Sequence, residues 1–130
     1  METAIIIGKI QNALKACSET YAIESKDIQI TITNATSMFD SVKFFLMKEG
    51  GEIVNKLDIK NLLNLNAIEA VIVSSYLKDT FGSLSKKYNL NVKDINARIF
   101  TKAEDFYPSV YLCEAQKIIK EIAVEELTTK

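Results

Sequence analysis

"TYAIESKDIQITI" (Thr20–Ile32) is the stretch on which the fold turns. It closes one apolar series and opens another. Ile6, Ile10, Leu14, Cys17 and Tyr21 step by four, four, three and four, so they share one helical face. From Ile28 the period changes to two. Ile28, Ile30 and Ile32 fall on one side, and Gln29, Thr31 and Thr33 on the other. That is a strand expected to bury one face and to turn the other to solvent or a polar partner. Lys26-Asp27 sits between them as the helix-to-strand turn, where an Asp side chain can bond nearby amides.

The phrase returns 67 residues later as "KYNLNVKDINARI" (Lys87–Ile99). Val73, Leu77, Phe81, Leu84 and Tyr88 repeat the helical steps. Ile95, Ala97 and Ile99 repeat the buried strand face, with Asn96, Arg98 and Phe100 opposite. Residues 1–39 align without a gap on residues 68–106, with nine identities that include Glu2/Glu69, Ser18/Ser85, Tyr21/Tyr88, Lys26/Lys93, Asp27/Asp94 and Phe39/Phe106. The β-branched runs "AIII" and "AVIV" that begin the two series also suit strands. The helical spacing continues for several turns, which favours helix.

The halves then diverge. In "SVKFFLMKEGGEIVNKLDI" (41–59), Gly50-Gly51 separates two apolar stretches and points to a hairpin with strands at 42–48 and 53–59. The competitor is a helix from Asp40 to Gly50 with Phe39, Val42, Phe45 and Leu46 inward. "IKNLLNLN" (59–66) leads into the central helix. Pro108 suits the first turn of a last helix faced by Leu112, Ala115, Ile119 and Ile122. The alternative makes "SVYLCEA" a strand paired with "INARIFT" and leaves "KIIKEIAVEEL" helical. The tail "ELTTK" is expected to fray. The fold class expected is α+β, one domain over 1–130. Two similar helix-turn-strand units, the products of an internal duplication, would share a small, mostly antiparallel sheet of three or more strands packed by helices.

Composition narrows the chemistry. With 48% apolar and 25% charged residues, 130 residues can build an ordinary globular core. Sixteen basic residues against seventeen acidic ones lack the basic surplus of a free nucleic-acid binder, so no nucleic-acid partner is expected unless charge is segregated in space. No apolar run approaches a membrane span, and nothing resembles a secretory leader. Cys17 and Cys113, the only two cysteines, are then reduced thiols of a cytoplasmic protein. The Asn34-Ala35-Thr36 acceptor pattern is accidental on that reading.

There is no histidine. That removes the Ser-His and Cys-His arrangements and the commonest general base and metal ligand. Gly8, Gly50, Gly51 and Gly82 form no phosphate-binding loop. Cys17 and Cys113 have no CxxC neighbour, and Cys17 within the helical stripe reads as core. No catalytic residue, metal or cofactor is expected.

Two constellations remain. Tyr21, Lys26 and Asp27, with Tyr88, Lys93 and Asp94, suggest either two polar sites or, more simply, ring edges over a core beside solvated turns. Phe39, Phe44, Phe45, Phe100, Phe106, Tyr107 and Tyr111 gather around the sheet, and Phe44-Phe45 sends one ring to each face of a strand. Phe44, Phe45, Phe100, Tyr107 and Tyr111 are therefore the candidate partner-binding residues. The function expected is a non-catalytic protein-interaction module: a homodimeric adaptor, assembly factor or chaperone-like protein. The runner-up is a small-molecule-binding protein or enzyme using Tyr, Lys and Asp between the repeats. A third possibility is a structural part of a phage or secretion assembly.

Overall fold

The computed structural model describes residues 3–35, 40–48, 51–102 and 106–128. Glu2, Thr36, Phe39, Gly50, Thr129 and Lys130, which entered the readings above, lie outside them. The elements in chain order are α1 (Thr3–Tyr21), β1 (Ile28–Thr33), β2 (Lys43–Lys48), β3 (Ile53–Leu57), α2 (Ile59–Leu62), α3 (Ala67–Lys87), β4 (Ile95–Thr101), β5 (Pro108–Glu114), β6 (Lys117–Ile122) and α4 (Val124–Thr128). The six strands form one antiparallel sheet in the order β3-β2-β1-β4-β5-β6. The fold is α+β.

Both apolar series are helical. Ile10, Leu14 and Cys17 of α1, and Leu77, Phe81 and Leu84 of α3, are buried against the isoleucines of β1 and β4. Leu14 and Phe81, 67 residues apart, are both fully buried. The helix onsets, which looked strand-like, are helical; Ile6, Ile7 and Val73 rest against the core, and α3 is closed at its start by a capping box. Asn66 Oδ1 accepts from the Glu69 amide at 2.8 Å, and Glu69 Oε1 accepts from the Asn66 amide at 3.0 Å.

The quoted stretch and its echo build the same corner. Ala22 and Asn89 each follow the helix in the left-handed region, at φ 53° and 55°. The Ile23 amide donates to Ser18 O at 3.0 Å, and the Leu90 amide to Ser85 O at 2.8 Å. This is a Schellman closure in both places, with the apolar residue just past the cap turned toward the core. The Asp27 amide then donates to Glu24 O, and the Asp94 amide to Asn91 O, both at 2.9 Å. β1 and β4 pair so that Thr31 faces Arg98, Ile30 faces Ile99 and Ile32 faces Ala97. Within this ladder, residue i and residue i+67 therefore exchange across a local two-fold between Thr31 and Arg98.

The hairpin reading of 42–59 agrees with β2 and β3. The Lys48 amide donates to Glu52 O, and Gly51 carries φ 88°. A residue without Cβ adopts that conformation at little steric cost. In the last third the alternative reading holds for its first part: "SVYLCEA" falls in strand β5 up to Glu114, and β5 pairs with β4 over its full length, so Pro108 opens a strand and not a helix. Its second part, a helical "KIIKEIAVEEL", is corrected. Ile118, Ile119 and Ile122 lie in strand β6, which returns through a tight turn at Ala115, φ 52°. Three β-branched residues beside a waiting strand edge outweigh the helical spacing. Only Val124–Thr128 is helical there. This short α4 is not a frayed end, because Val124 and Leu127 are buried in the core and α4 packs against α1 and α3.

Candidate interaction surface

The described helices cover one face of the sheet. Ile28, Ile30, Ile32, Phe44, Leu46, Ile95, Ala97, Ile99, Val110 and Leu112 point into that layer. The alternate residues of each strand make the other face, over which no described helix lies. One row of it crosses all six strands by direct pairing: Lys56, Phe45, Thr31, Arg98, Tyr111 and Glu121. The next row runs Ile53, Met47, Gln29, Phe100 and Ser109.

The sequence reading expected Gln29 and Thr31 to meet solvent or a polar partner. They are buried instead, at 5% and 6% exposure. Short side chains on the two central strands lie beneath longer ones on their neighbours. They also bond one another: Gln29 Nε2 donates to Thr31 Oγ1 at 2.8 Å, and the Thr31 hydroxyl donates to Met47 Sδ at 3.1 Å. Arg98 Nη2 donates to the Ala115 carbonyl at 3.2 Å, and Asn96 Nδ2 to the same carbonyl at 3.0 Å. Phe100 and Tyr111 meet edge to face, with centroids 5.4 Å apart and planes at 82°. The result is a half-buried aromatic layer edged by two exposed aliphatics, Ile53 on β3 and Ile118 on β6.

Of the five candidate partner residues, Phe45, Phe100 and Tyr111 lie together on this face. Tyr107 is exposed in the β4–β5 connection. Phe44 is a correction: strand alternation turns it into the core at 3% exposure, out of any partner's reach.

Within the strands, the charged residues described on this face are Lys43, Lys56 and Arg98 against Glu121. Just beyond the strand ends, Lys102 is joined by Asp27, Asp58 and Asp94. Glu121 is engaged by Lys102 at 3.6 Å and by the Ser109 hydroxyl at 3.1 Å. The whole chain is at −1, so the cations of these strands are a local feature.

The two Tyr-Lys-Asp groups do not converge. The Tyr21 hydroxyl accepts from Asn55 Nδ2 at 2.7 Å beside edge strand β3. The Tyr88 hydroxyl donates to Glu126 at 2.9 Å beside α4, and Lys120 of the opposite edge strand β6 lies over its ring at 5.3 Å. Lys26 reaches only its neighbour Glu24 at 3.4 Å, both exposed. An open cleft of about 560 Å³ lies between α3 and α4. Tyr76, Asp79, Thr80, Leu84, Lys87 and Glu126 help to line it, and it includes none of Tyr21, Lys26, Tyr88 and Lys93. Lys87 is held by Glu126 at 2.7 Å. Hydrogen bonds from Lys87 and Tyr88 keep the Glu126 carboxyl below its ordinary range.

Burial pushes both thiols up, and Arg98 only partly offsets this at Cys113. Cys17 sits in the helical core and Cys113 under the uncovered face. Among the described residues, no group of three or more Cys, Asp or Glu is placed to hold a metal ion. No described helix is long and apolar enough to cross a membrane.

A second apolar group escaped the sequence reading. Ile68, Val71 and Ile72 of α3 are 74%, 67% and 61% exposed, and Ile5, the counterpart of Ile72, is 49% exposed. Ile68, Val71 and Ile72 form their own i, i+3, i+4 stripe, legible in "AIEAVIV" once the inward stripe is subtracted. Comparison with known proteins returns no matching family model, curated protein or solved structure.

Proposed function

We propose that this chain is a non-catalytic protein-interaction module, an adaptor, assembly factor or chaperone-like protein, and that the uncovered sheet face is its docking surface. The carrying observation is the cross-strand layer of Phe45, Met47, Phe100 and Tyr111 between exposed Ile53 and Ile118. Large apolar side chains gathered on one open face are a common mark of protein contact. The separation of Tyr21 from Tyr88 weighs against the small-molecule reading. Two thiols on opposite faces of the sheet fit a cytoplasmic setting. We further read the two identically built corners as copies of one ancestral unit.

Self-association belongs, in this reading, to α3. Ile68, Val71 and Ile72 are among the most exposed large apolar side chains described, and they share one helix face, so they suit an isologous helix pair. The test of the docking surface is photo-crosslinking in the native cell, with p-benzoylphenylalanine in place of Phe45, Tyr111 or, as a control, the exposed Lys15 of α1. Adducts to a polypeptide at 45 and 111 but not at 15 are expected. No adduct at either sheet position, or equal adducts at Lys15, would overturn the reading.

A further inference from the structure

We infer that the occupant of the sheet face is an acidic polypeptide segment with carboxylates spaced around apolar side chains. This rests on the docking reading above and names the partner's chemistry. The charge of the face decides it. Lys102 is taken up by Glu121, which leaves Lys43, Lys56 and Arg98 as the field that an incoming chain meets. Lys43 and Lys56 are exposed. Arg98 is half-buried and fixed in place by its bond to Ala115 O, and a guanidinium so held can bind a carboxylate through two parallel hydrogen bonds.

The spacing describes the ligand. Lys56 and Arg98 lie in one row, three strands apart, which is about 14 Å at ordinary strand separation. Phe45 stands between them, and Tyr111 lies beyond Arg98. The complementary segment carries a carboxylate, an apolar group and a second carboxylate over about 14 Å. An extended strand supplies that in about four residues, and a helix in about nine to ten. The row spans about 24 Å, five strand separations.

Two competitors are weaker. From the strands of this face a second copy brings one described carboxylate, Glu121, already engaged by Lys102 and Ser109, and so leaves Lys43 and Arg98 unmet. A single-stranded nucleic acid would also satisfy the cations, but bases stack on open parallel ring faces. Here Phe100 and Tyr111 are committed to an edge-to-face contact at 82°, and the most exposed apolar groups along the face are aliphatic.

Fluorescence anisotropy on the full chain tests this with three labelled probes: a Glu-Leu alternating dodecapeptide, its Lys-Leu counterpart and a dT12 oligonucleotide. The Glu-Leu peptide is expected to bind, to weaken as salt rises, and to lose about tenfold or more in affinity with Lys43→Glu/Lys56→Glu. Both sites are exposed, so that variant is expected to keep its melting temperature. The Lys-Leu peptide and dT12 should bind at least about tenfold more weakly than the Glu-Leu peptide, since the recognition is for acidic polypeptide. No binding of the Glu-Leu peptide, equal binding of the Lys-Leu peptide, or tighter binding of dT12 would overturn the inference. The crosslinking experiment separates the two claims. An adduct at Phe45 to a second copy, or to a polypeptide without an acidic segment, leaves the docking surface standing and ends the acidic-partner inference.

Discussion

Ala22 and Asn89 share a left-handed backbone at matching corners, with φ 53° and 55°, but they bear that conformation differently. Alanine pays a steric penalty there that asparagine largely escapes. Ala22→Gly should therefore stabilise the protein by about 0.5–1 kcal/mol, and Asn89→Gly by distinctly less. Chemical denaturation of the two variants side by side measures the difference. Glu126 gives a second residue-scale expectation. Its folded pKa is depressed by Lys87 and Tyr88 from an ordinary 4.5. A carboxyl depressed in the folded state stabilises above its unfolded pKa, and that contribution is lost as pH falls through the folded value. Melting temperatures across the acid range should therefore fall less steeply for Glu126→Gln than for the parent chain. Equal slopes would mean that the Lys87–Glu126–Tyr88 contact does not contribute to folding.

At the level of elements, much of the fold could be read from residue order. A change of period from about 3.6 to 2 at Tyr21 and again at Tyr88 marks both helix-to-strand corners, and Gly50-Gly51 marks the β2–β3 hairpin. The misreadings have one cause. Ile118, Ile119 and Ile122, taken with Leu112 and Ala115, satisfy helical spacing, and Pro108 is as welcome at a strand start as in a first helical turn. The pairing of β5 with β4, which the alternative reading held, and that of β6 with β5, which neither reading held, are long-range contacts that settle the matter. The candidate surface was legible in part. Alternation placed Phe45 and Phe44 on opposite faces, but sequence alone did not say which face the helices would cover. The burial of Gln29 and Thr31 depends on neighbouring strands, so it too could not be read along the chain. The paired helices also carry a prediction. Leu14→Ala should cost about 2–5 kcal/mol and Phe81→Ala about 3–5 kcal/mol, because each empties the centre of its own helix–sheet contact. Urea unfolding of both variants checks this. A loss below about 1 kcal/mol at either site would mean that its helix is not seated as described.

Across the whole molecule, opposite sides have different characters. One side of the sheet carries Phe45, Phe100 and Tyr111 with Lys43, Lys56 and Arg98, and the helical layer on the other side carries the exposed stripe Ile68, Val71 and Ile72. On the reading proposed above, two such surfaces would let one chain hold a partner and a copy of itself at once. Light scattering should find an associated state for the parent chain and a monomer for Ile68→Glu/Ile72→Glu, with peptide binding at the sheet face unchanged. A parent chain that is monomeric at about 100 μM would remove the second surface, since useful self-association is tighter than that. The central register, in which Thr31 faces Arg98, has a further consequence. The backbone passes from one half of the sheet to the other only through the segment around Leu63 to Asn66, while the halves are joined by the β1–β4 ladder and the apolar layer beneath it. A chain nicked there would lose its covalent tie but keep its seam, so two separately made pieces, 1–64 and 65–130, should find each other in solution and reassemble into a single working body.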